Sequence, residues 1–238
     1  MLKKIKSITQ NLRLPSICIL CNQIYKSNLA LCEECIKLLK KLGPKCPCCA
    51  HPLPDDIGLC GLCIQQKPHF DKVYIDYEYT EPLRGLLHQF KYTNALYLAG
   101  FFSQLMFNSV NKATIMPQCI IPVPMHPERL KSRGFNQAVV LSKLLAKRLR
   151  IPYNLNCCKK IKNTSAQASL SQKERLKNLK SAFSAASLEH QHVLIVDDLL
   201  TTGSTANEIA FLLKQNGVQR VDVCCPARAV KDGFNHSL

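Results

Sequence analysis

The sequence lacks the long apolar runs that mark membrane-spanning proteins, and its N-terminal stretch is a poor secretory signal. No stretch approaches the roughly 18 uninterrupted apolar residues of a transmembrane helix. The basic N-terminus has neither an apolar core nor a small-residue cleavage site. We therefore expect a cytoplasmic protein with no transmembrane segment. Tryptophan is absent and aromatic residues make up only 7% of the chain, which limits the side chains available for stacking on planar groups.

Acidic residues are also scarce, and their scarcity is local. The chain has 238 residues, with 32 Lys and Arg against 16 Asp and Glu, and a formal charge of +16. The stretch from His126 to Lys180 holds 14 basic and two acidic residues, so that +12 of this charge lies there. A local excess of this size favours phosphate-bearing ligands. With 47% apolar residues, the chain can bury the core of one α/β domain and carry a small accessory module.

An apolar stripe near the N-terminus predicts a short helix. It is flanked by lysines and consists of Leu2, Ile5, Ile8 and Leu12. We favour packing of this helix on its own domain. The alternative is contact with anionic lipid, which would place the chain at the inner face of the membrane.

Eight of the 14 cysteines form four Cys-x2-Cys knuckles that repeat every 14 residues. The predicted metal ligands are Cys18, Cys21, Cys32, Cys35, Cys46, Cys49, Cys60 and Cys63. Four such knuckles can hold two zinc ions, each with four thiolates. A disulfide framework is the competing interpretation, but it belongs to short secreted chains. A redox motif needs no three companion knuckles. We therefore expect two Zn²⁺ ions and a small zinc-ribbon module that folds around them.

The spacing leaves two ways of pairing the knuckles. Sequential pairing makes two zinc ribbons, whereas interleaved pairing makes a cross-brace. We favour sequential pairing because neighbouring knuckles close shorter loops. Cys48 lies inside the third knuckle and is predicted to be a bystander. The other cysteines are expected to be buried free thiols: Cys119, Cys157, Cys158, Cys224 and Cys225.

The residue pattern changes after a linker at Gln65–His69, from cysteine knuckles to strand and helix periodicity. We place the domain boundary there, with domains 1–66 and 67–238. The predicted strands are Val73–Tyr79, Cys119–Val123, His192–Val196 and Val221–Pro226. The predicted helices are Leu83–Tyr92, Leu96–Val110, Asn136–Arg150, one that begins at Ser171, and Thr205–Gln215. Strands that alternate with helices predict an α/β fold with a mostly parallel sheet covered on both faces. Ligands of such sheets bind at the carboxyl ends of the strands.

The segment VLIVDDLLTTGSTA, residues 193–206, is the strongest site candidate in this domain. A buried strand ends at Asp197 and Asp198, whose carboxylates can accept hydrogen bonds from the vicinal hydroxyls of a sugar. A hydroxyl-rich loop follows and opens a helix, whose N-terminus favours phosphate. The loop residues are Thr201, Thr202, Gly203, Ser204 and Thr205. This pattern is neither a Walker A motif nor a dinucleotide-binding motif, and an ordinary capped helix is the alternative.

The segment 193–205 resembles the phosphoribosyl-pyrophosphate (PRPP) loop of type I phosphoribosyltransferases. From Cys18 to about Arg228, the chain is similar to the ComF family of competence proteins, in which a cysteine-rich zinc module precedes that domain. EPLRGLLHQFKY at 81–92 is a further similar segment. The resemblance implies a type I phosphoribosyltransferase fold that binds PRPP, with Mg²⁺, at Asp197, Asp198 and residues 201–205.

Two more segments acquire roles from this resemblance. The segment 121–138 corresponds to the pyrophosphate loop, and its candidate residues are Pro124, His126, Arg129 and Arg133. A solvated basic loop is the alternative. The segment 167–183 corresponds to a flexible loop that closes over the reacting centre, with Lys173, Arg175 and Lys177 as candidates. There the alternative is an ordinary basic helix surface.

Two functions follow as hypotheses. In the first, the chain is a competence factor that binds PRPP and handles incoming single-stranded DNA, with a DNA-uptake helicase and channel as partners. The predicted DNA contacts are Lys143, Lys147, Arg150 and Lys180. In the second, it is a metabolic phosphoribosyltransferase with an unidentified acceptor. Thr201 stands where purine-salvage relatives carry a carboxylate, so the sequence predicts PRPP binding and leaves transferase activity open.

Overall fold

The computed structural model describes residues 15–27, 29–55, 58–162 and 181–230. The strands are β1 (Ser16–Ile17), β2 (Ile24–Tyr25), β3 (Lys72–Tyr74), β4 (Cys119–Pro122), β5 (Cys158–Lys160), β6 (Phe183–Ala185), β7 (His192–Val196) and β8 (Arg220–Cys224). The helices are α1 (Glu33–Lys37), α2 (Gly61–Gln65), α3 (Leu83–Tyr92), α4 (Ala99–Val110), α5 (Pro127–Arg133), α6 (Gln137–Leu149) and α7 (Ser204–Gln215). A 3-10 turn at Leu96–Leu98 precedes α4. The predicted N-terminal helix, the helix predicted at Ser171, the flexible-loop candidates and Lys180 lie outside the described residues.

The central sheet has four parallel strands in the order β3-β8-β7-β4. Val196 at the end of β7 is in register with Pro122 of β4 and Cys224 of β8. The carboxyl ends of these three strands are therefore level, and the chain segments that follow them leave from one edge. The predicted mostly parallel sheet is confirmed.

Helices cover both faces of the sheet because the side chains of its strands alternate in direction. Leu194 and Val196 of β7 belong to one apolar cluster, which includes buried residues of α3, α4 and α6. Val193 and Ile195 belong to a second cluster, which includes the buried residues of α7. Every residue of β7 is buried, which explains why this strand consists mostly of apolar residues.

The structure departs from the predicted elements at β3 and at the pair of β5 and β6. The strand predicted at Val73–Tyr79 is regular only over Lys72–Tyr74, and its remainder pairs through isolated bridges at Tyr77 and Glu78. The antiparallel pair of β5 and β6 was not predicted, because three residues are too few to show an alternating pattern. Within the described residues, no helix combines the length and the apolar character needed to cross a bilayer.

The chain between the second and third cysteine knuckles lies along the continuation of β3. The amide of Leu42 donates to the carbonyl of Asp76 at 2.9 Å, and the amide of Glu78 donates to that of Lys40 at 2.9 Å. Lys40 also forms a salt bridge with Glu78 at 2.8 Å. The cysteine-rich module is thus hydrogen-bonded to the edge of the α/β domain.

Candidate functional site

The eight knuckle cysteines form two groups in space. The first ribbon contains Cys18, Cys21, Cys32 and Cys35, and the second ribbon contains Cys46, Cys49, Cys60 and Cys63. Within each group the sulfur atoms lie within 4.8 Å of one another. Successive knuckles therefore share a site, as the loop-length argument favours, and interleaved pairing is excluded.

The two ribbons repeat the same backbone construction 28 residues apart. In the first ribbon the amide of Cys32 points at the sulfur of Cys18 at 3.4 Å, and in the second the amide of Cys60 points at that of Cys46 at the same distance. Asn22 and Ala50 follow the first knuckle of each ribbon and both have positive φ, 58° and 55°. The regular cysteine spacing thus reflects a duplicated structural unit.

The spacing of these thiols suits zinc. In a tetrahedral site with Zn–S bonds of about 2.3 Å, neighbouring sulfurs are about 3.8 Å apart. The Cys21–Cys32 and Cys49–Cys60 sulfur pairs lie at 3.8 and 3.6 Å. Burial opposes ionisation of Cys18, but backbone amides that donate to its sulfur lower its pKa to about 6. We conclude that the clusters are two structural zinc sites, each with a complete set of four protein ligands.

A pair of carboxylates lies at the carboxyl end of β7, where the sequence predicted it. Burial and the neighbouring charge of Asp198 raise the pKa of Asp197 to about 7. The amide of Asp198 donates to Oδ1 of Asp197 at 2.8 Å, which holds the pair together. Oδ1 of Asp198 forms a salt bridge with Nζ of Lys91 at 2.9 Å, and these side chains are only 15% and 16% exposed. The carboxyl edge therefore contains two adjacent acids and one opposing lysine from α3.

The hydroxyl-rich loop connects this acidic pair to the N-terminus of α7. Gly203 is buried and has φ of +77°, a conformation that other residues rarely adopt. Oγ1 of Thr202 accepts from the amide of Ser204 at 3.3 Å and lies 2.8 Å from its hydroxyl. Thr201 and Thr202 are exposed, so their hydroxyls are open to solvent beside the N-terminus of α7. Hydroxyl and amide donors at a helix N-terminus suit a phosphate group.

The predicted pyrophosphate segment leaves β4, the neighbour of β7 in the sheet. It is not a continuous loop, because its centre forms α5. His126 caps this helix by accepting from the amide of Glu128, Pro127 follows at the first helical position, and Gly134 ends the helix at φ of +83°. Arg129 lies on the exposed surface of α5. The prediction of a loop across the segment 121–138 was wrong at this helix, although the segment leaves the strand next to that of the acidic pair.

Arg133 at the end of α5 is fixed by contacts with α3 and α6. Its guanidinium lies 5.1 Å from the centre of the Tyr92 ring, and its Nη1 donates to Oε1 of Gln137 at 3.2 Å. Nε2 of the buried Gln137 donates to the backbone carbonyl of Lys91 at 3.2 Å. The end of α3 thus joins the acidic pair to the predicted pyrophosphate segment.

Two family profiles match the chain. The double zinc ribbon domain matches residues 9–64, and the phosphoribosyl transferase domain matches residues 136–236. Competence protein F of Haemophilus influenzae is 38% identical over 222 residues, which cover 89% of this chain and 96% of that protein. DNA utilization protein YhgH of Salmonella typhimurium is 33% identical over 226 residues, 92% of this chain and 100% of that protein. The chain belongs to the ComF family.

A more distant relative also matches over most of the chain. Competence protein ComFC of Bacillus subtilis is 26% identical over 224 residues, which cover 84% of this chain and 90% of that protein. The ComF similarity therefore spans the zinc ribbons and the phosphoribosyltransferase-type domain together.

The predicted DNA contacts of this ComF-family chain that the structure describes lie on or at the end of α6. Lys143, Lys147 and Arg150 are exposed, and Arg150 ends the helix with φ of +58°. Arg148, which is not part of the predicted stripe, instead donates to Ser103 and Gln104 of α4. Arg148 therefore connects α6 to α4, whereas the other three cations face solvent.

Two lysines near the acidic pair of the ComF-family site were missed from the sequence. Lys91 lies in the segment 81–92, whose resemblance to the family was noted without a role for any residue. Lys160 of β5 carries no such signal. Burial and the charge of Arg129 lower the pKa of Lys160, while the charge of Asp197 acts in the opposite direction, so the three charges are near enough to interact. Only folding brings β5 and α5 to the end of β7.

Proposed function

We propose that this ComF-family chain binds PRPP at the carboxyl edge of its parallel sheet and handles single-stranded DNA during natural transformation. The position of Asp197 and Asp198 carries the first part, because they end β7 directly before the loop that opens α7. Carboxylates accept hydrogen bonds from vicinal hydroxyls, and the amides of a helix N-terminus bind phosphate. One ribose 5-phosphate can use both groups at once.

The bound ligand extends from this loop toward β4. In the proposed mode, the acidic pair holds the ribose hydroxyls and residues 201–205 hold the 5-phosphate. The pyrophosphate lies toward the segment that contains Pro124, His126, Arg129 and Arg133. Mg²⁺ prefers oxygen ligands and, when bound with PRPP, supplies charge neutralisation at the pyrophosphate. The predicted flexible-loop residues Lys173, Arg175 and Lys177 belong to this proposal as further cations for the leaving group.

The DNA part rests on charge and on the names of the relatives. Those relatives are named competence and DNA utilization proteins. Within the described residues, the exposed Lys143, Lys147 and Arg150 form a basic stripe at the end of α6. Such a stripe, with Lys180, suits a phosphate backbone. We propose that the chain acts in the cytoplasm, at the inner face of the membrane, with a DNA-uptake helicase and channel as partners.

Asparagine substitutions in the acidic pair test the PRPP site. We expect Asp197→Asn to weaken PRPP binding by about tenfold or more, since a charged acceptor is lost. At pH 8 the Asp197→Asn variant should be more stable to unfolding than the native chain. In the folded chain the pKa of Asp197 is raised to about 7, so ionisation destabilises the fold as the pH rises from about 4 through 7. Calorimetric titration with PRPP and melting curves at pH 5 and pH 8 measure both effects.

Asp198→Asn is the matched variant, and it should change stability in the opposite direction. It leaves the ammonium of Lys91 buried without its carboxylate partner, so we expect a lower melting temperature. Unchanged PRPP affinity in both variants would show that the loop binds a different ligand.

The salt dependence of binding tests the DNA surface. Replacing Lys143, Lys147 and Arg150 with Gln should lower the affinity for single-stranded DNA and reduce the slope of log K against log salt by about 2, at roughly 0.7 per contact. Fluorescence anisotropy with a labelled oligonucleotide measures this slope. The charge-matched comparison replaces the exposed Lys26 and Lys41 of the cysteine-rich module and Lys67 of the linker that follows it. A change in slope for this second set alone would move the DNA site to the zinc ribbons.

Transfer of the phosphoribosyl group to an unidentified acceptor is the alternative activity. Thr201 stands at the loop position where purine-salvage relatives carry a carboxylate. It is exposed and has no carboxylate of its own. We therefore expect bound PRPP to release little pyrophosphate in the absence of an added acceptor. Steady release of pyrophosphate with candidate acceptors would establish the transferase.

A further inference from the structure

Lys91 is paired with Asp198, an acid that the proposed ligand needs. Its ammonium lies 2.9 Å from Oδ1 of Asp198, and both side chains are about five-sixths buried. A sugar hydroxyl that donates to Asp198 must therefore share or replace the contact with Lys91. Burial favours the neutral amine of Lys91, but the charge of Asp198 outweighs it and raises its pKa. Lys91 thus remains charged and needs an anion wherever it moves.

The backbone of Lys91 is held in place, so a change of partner falls to its side chain. Its carbonyl accepts from Gln137, which is 1% exposed, and Gln137 in turn accepts from Arg133. Phe90, the preceding residue, is fully buried and packs against Phe102 and Phe135. The last turn of α3 is therefore fixed, and movement is confined to the lysine side chain.

The same contacts place Lys91 between two parts of the proposed ligand. Its ammonium touches the acid that would hold the ribose, and its carbonyl is one residue away from Arg133 of the pyrophosphate segment. A diphosphate on the sugar C1 brings anionic oxygens toward this segment. A sugar phosphate without the diphosphate brings none. It leaves the displaced ammonium of Lys91 without an ion-pair partner, with only the weaker influence of the Asp197 charge.

We propose that Lys91 determines specificity at this site by exchanging Asp198 for the pyrophosphate oxygens of a bound PRPP. The lysine neutralises Asp198 in the free protein. It releases this acid only to a ligand that supplies a second anion. The site therefore discriminates against ribose 5-phosphate, whose binding leaves a buried cation unpaired. This inference rests on the proposed function, because it assumes that PRPP is the ligand.

The test compares three ligands on the full-length zinc-loaded chain in buffer with Mg²⁺. Dissociation constants are measured by calorimetry for PRPP, ribose 5-phosphate and inorganic pyrophosphate. In Lys91→Met we expect PRPP and pyrophosphate to bind roughly ten- to a hundredfold more weakly. Ribose 5-phosphate should bind as well as before or better, since Asp198 no longer has to be released. The preference for PRPP over ribose 5-phosphate therefore falls by at least the same factor.

A second ion pair in the chain provides the control. Nζ of Lys214, near the end of α7, lies 2.8 Å from Asp71, which precedes β3 at the opposite edge of the sheet. Lys214→Met should leave the preference for PRPP unchanged. If Lys91→Met does not fold, as judged by circular dichroism, Lys91→Arg carries the test. The guanidinium of Arg keeps a positive charge beside Asp198, but its donors have a different geometry from those of an ammonium. PRPP affinity should therefore fall, while ribose 5-phosphate affinity does not.

The outcomes distinguish a failure of the specificity role of Lys91 from a failure of the proposed PRPP binding. If the native chain binds PRPP but Lys91→Met weakens PRPP and ribose 5-phosphate equally, Lys91 only holds the acids in place and the specificity role is overturned. An unchanged preference overturns it as well. If the native chain binds neither PRPP nor pyrophosphate, the proposed function itself fails, and the inference fails with it.

Discussion

The two zinc ribbons have the same local construction, but they pack against opposite faces of the sheet. Buried residues of the first ribbon, such as Cys18 and Cys35, share an apolar cluster with α3, α4 and α6. Buried residues of the second, such as Cys46 and Cys63, share the other cluster with α7. The two ribbons thus have the same knuckle chemistry in different surroundings. Loss of the first zinc ion should therefore have different consequences from loss of the second.

The second ribbon is also connected to the proposed PRPP loop. Nη1 of the buried Arg228 donates to the carbonyl of Cys49 at 2.7 Å. The backbone around Arg228 is paired with Leu200, because the amides of Leu200 and Ala229 donate to the carbonyls of Ala227 and Leu200. Leu200 directly precedes the loop at 201–205. One strand of backbone thus lies between the second zinc site and the loop. The first ribbon is linked to this strand less directly, through the pairing of Lys40 and Lys41 with Tyr77 and Glu78.

The largest expected difference comes from removing one zinc site at a time. Cys18→Ser with Cys21→Ser, and Cys46→Ser with Cys49→Ser, should each reduce the zinc content from two ions per chain to one. We expect the second pair of substitutions to abolish PRPP binding and the first pair to preserve it, because Cys49 of the second ribbon is bonded directly to Arg228 in the strand beside Leu200. Elemental analysis and calorimetry measure the two effects. Equal losses of PRPP affinity would remove the distinction between the ribbons.

A smaller effect is expected from cutting the connection while keeping both zinc ions. Arg228→Met removes a buried charge-assisted hydrogen bond and should lower the free energy of unfolding by about 2 kcal/mol. Zinc content should stay at two ions, and PRPP should bind more weakly. Denaturation in urea and calorimetry provide the measurements. Arg148→Met is the matched control, since Arg148 also bonds across elements but contacts only α4, and it should leave PRPP affinity unchanged.

The smallest effect concerns the ion pairs of the two ribbons. Lys45, before the second ribbon, lies 3.0 Å from Asp76, which Ser109 and Lys112 also contact. Lys45→Met should cost about 0.5 kcal/mol, in keeping with a partly exposed pair. Lys37→Met in the first ribbon should cost nothing measurable, because Lys37 and Glu34 are 70% and 79% exposed. Chemical denaturation of both variants checks the contrast.

Acid provides a further check on the same pair. Burial favours the neutral form of Asp76, but Lys45, Ser109 and Lys112 outweigh it and lower its pKa. The stabilisation by this network is therefore present above about pH 4 and is lost as the pH falls through the lowered pKa. The cost of Lys45→Met should disappear in acid. A cost that is independent of pH would indicate lost packing rather than lost charge.

Prediction from the sequence succeeded where a short segment carries its own structural signal. The Cys-x2-Cys spacing predicted the metal clusters because each knuckle is a local turn. The apolar run before Asp197 and the glycine at position 203 likewise predicted a strand, a loop and a helix. Prediction was wrong at α5, where His126, Pro127 and Gly134 supply ordinary helix-boundary residues within a segment treated as a loop.

By itself, the sequence determined the zinc-ligand set, the mostly parallel sheet and the acidic end of β7. The tertiary structure decided which groups face those acids and which ribbon supports the loop. Lys91 and Asp198 come from different elements, and Arg228 lies 179 residues from Cys49. Local patterns cannot identify such partners, because periodicity and spacing depend on neighbours within a few turns of chain. Contacts between distant segments depend instead on how α3, the strand ends and the second ribbon pack around one sheet.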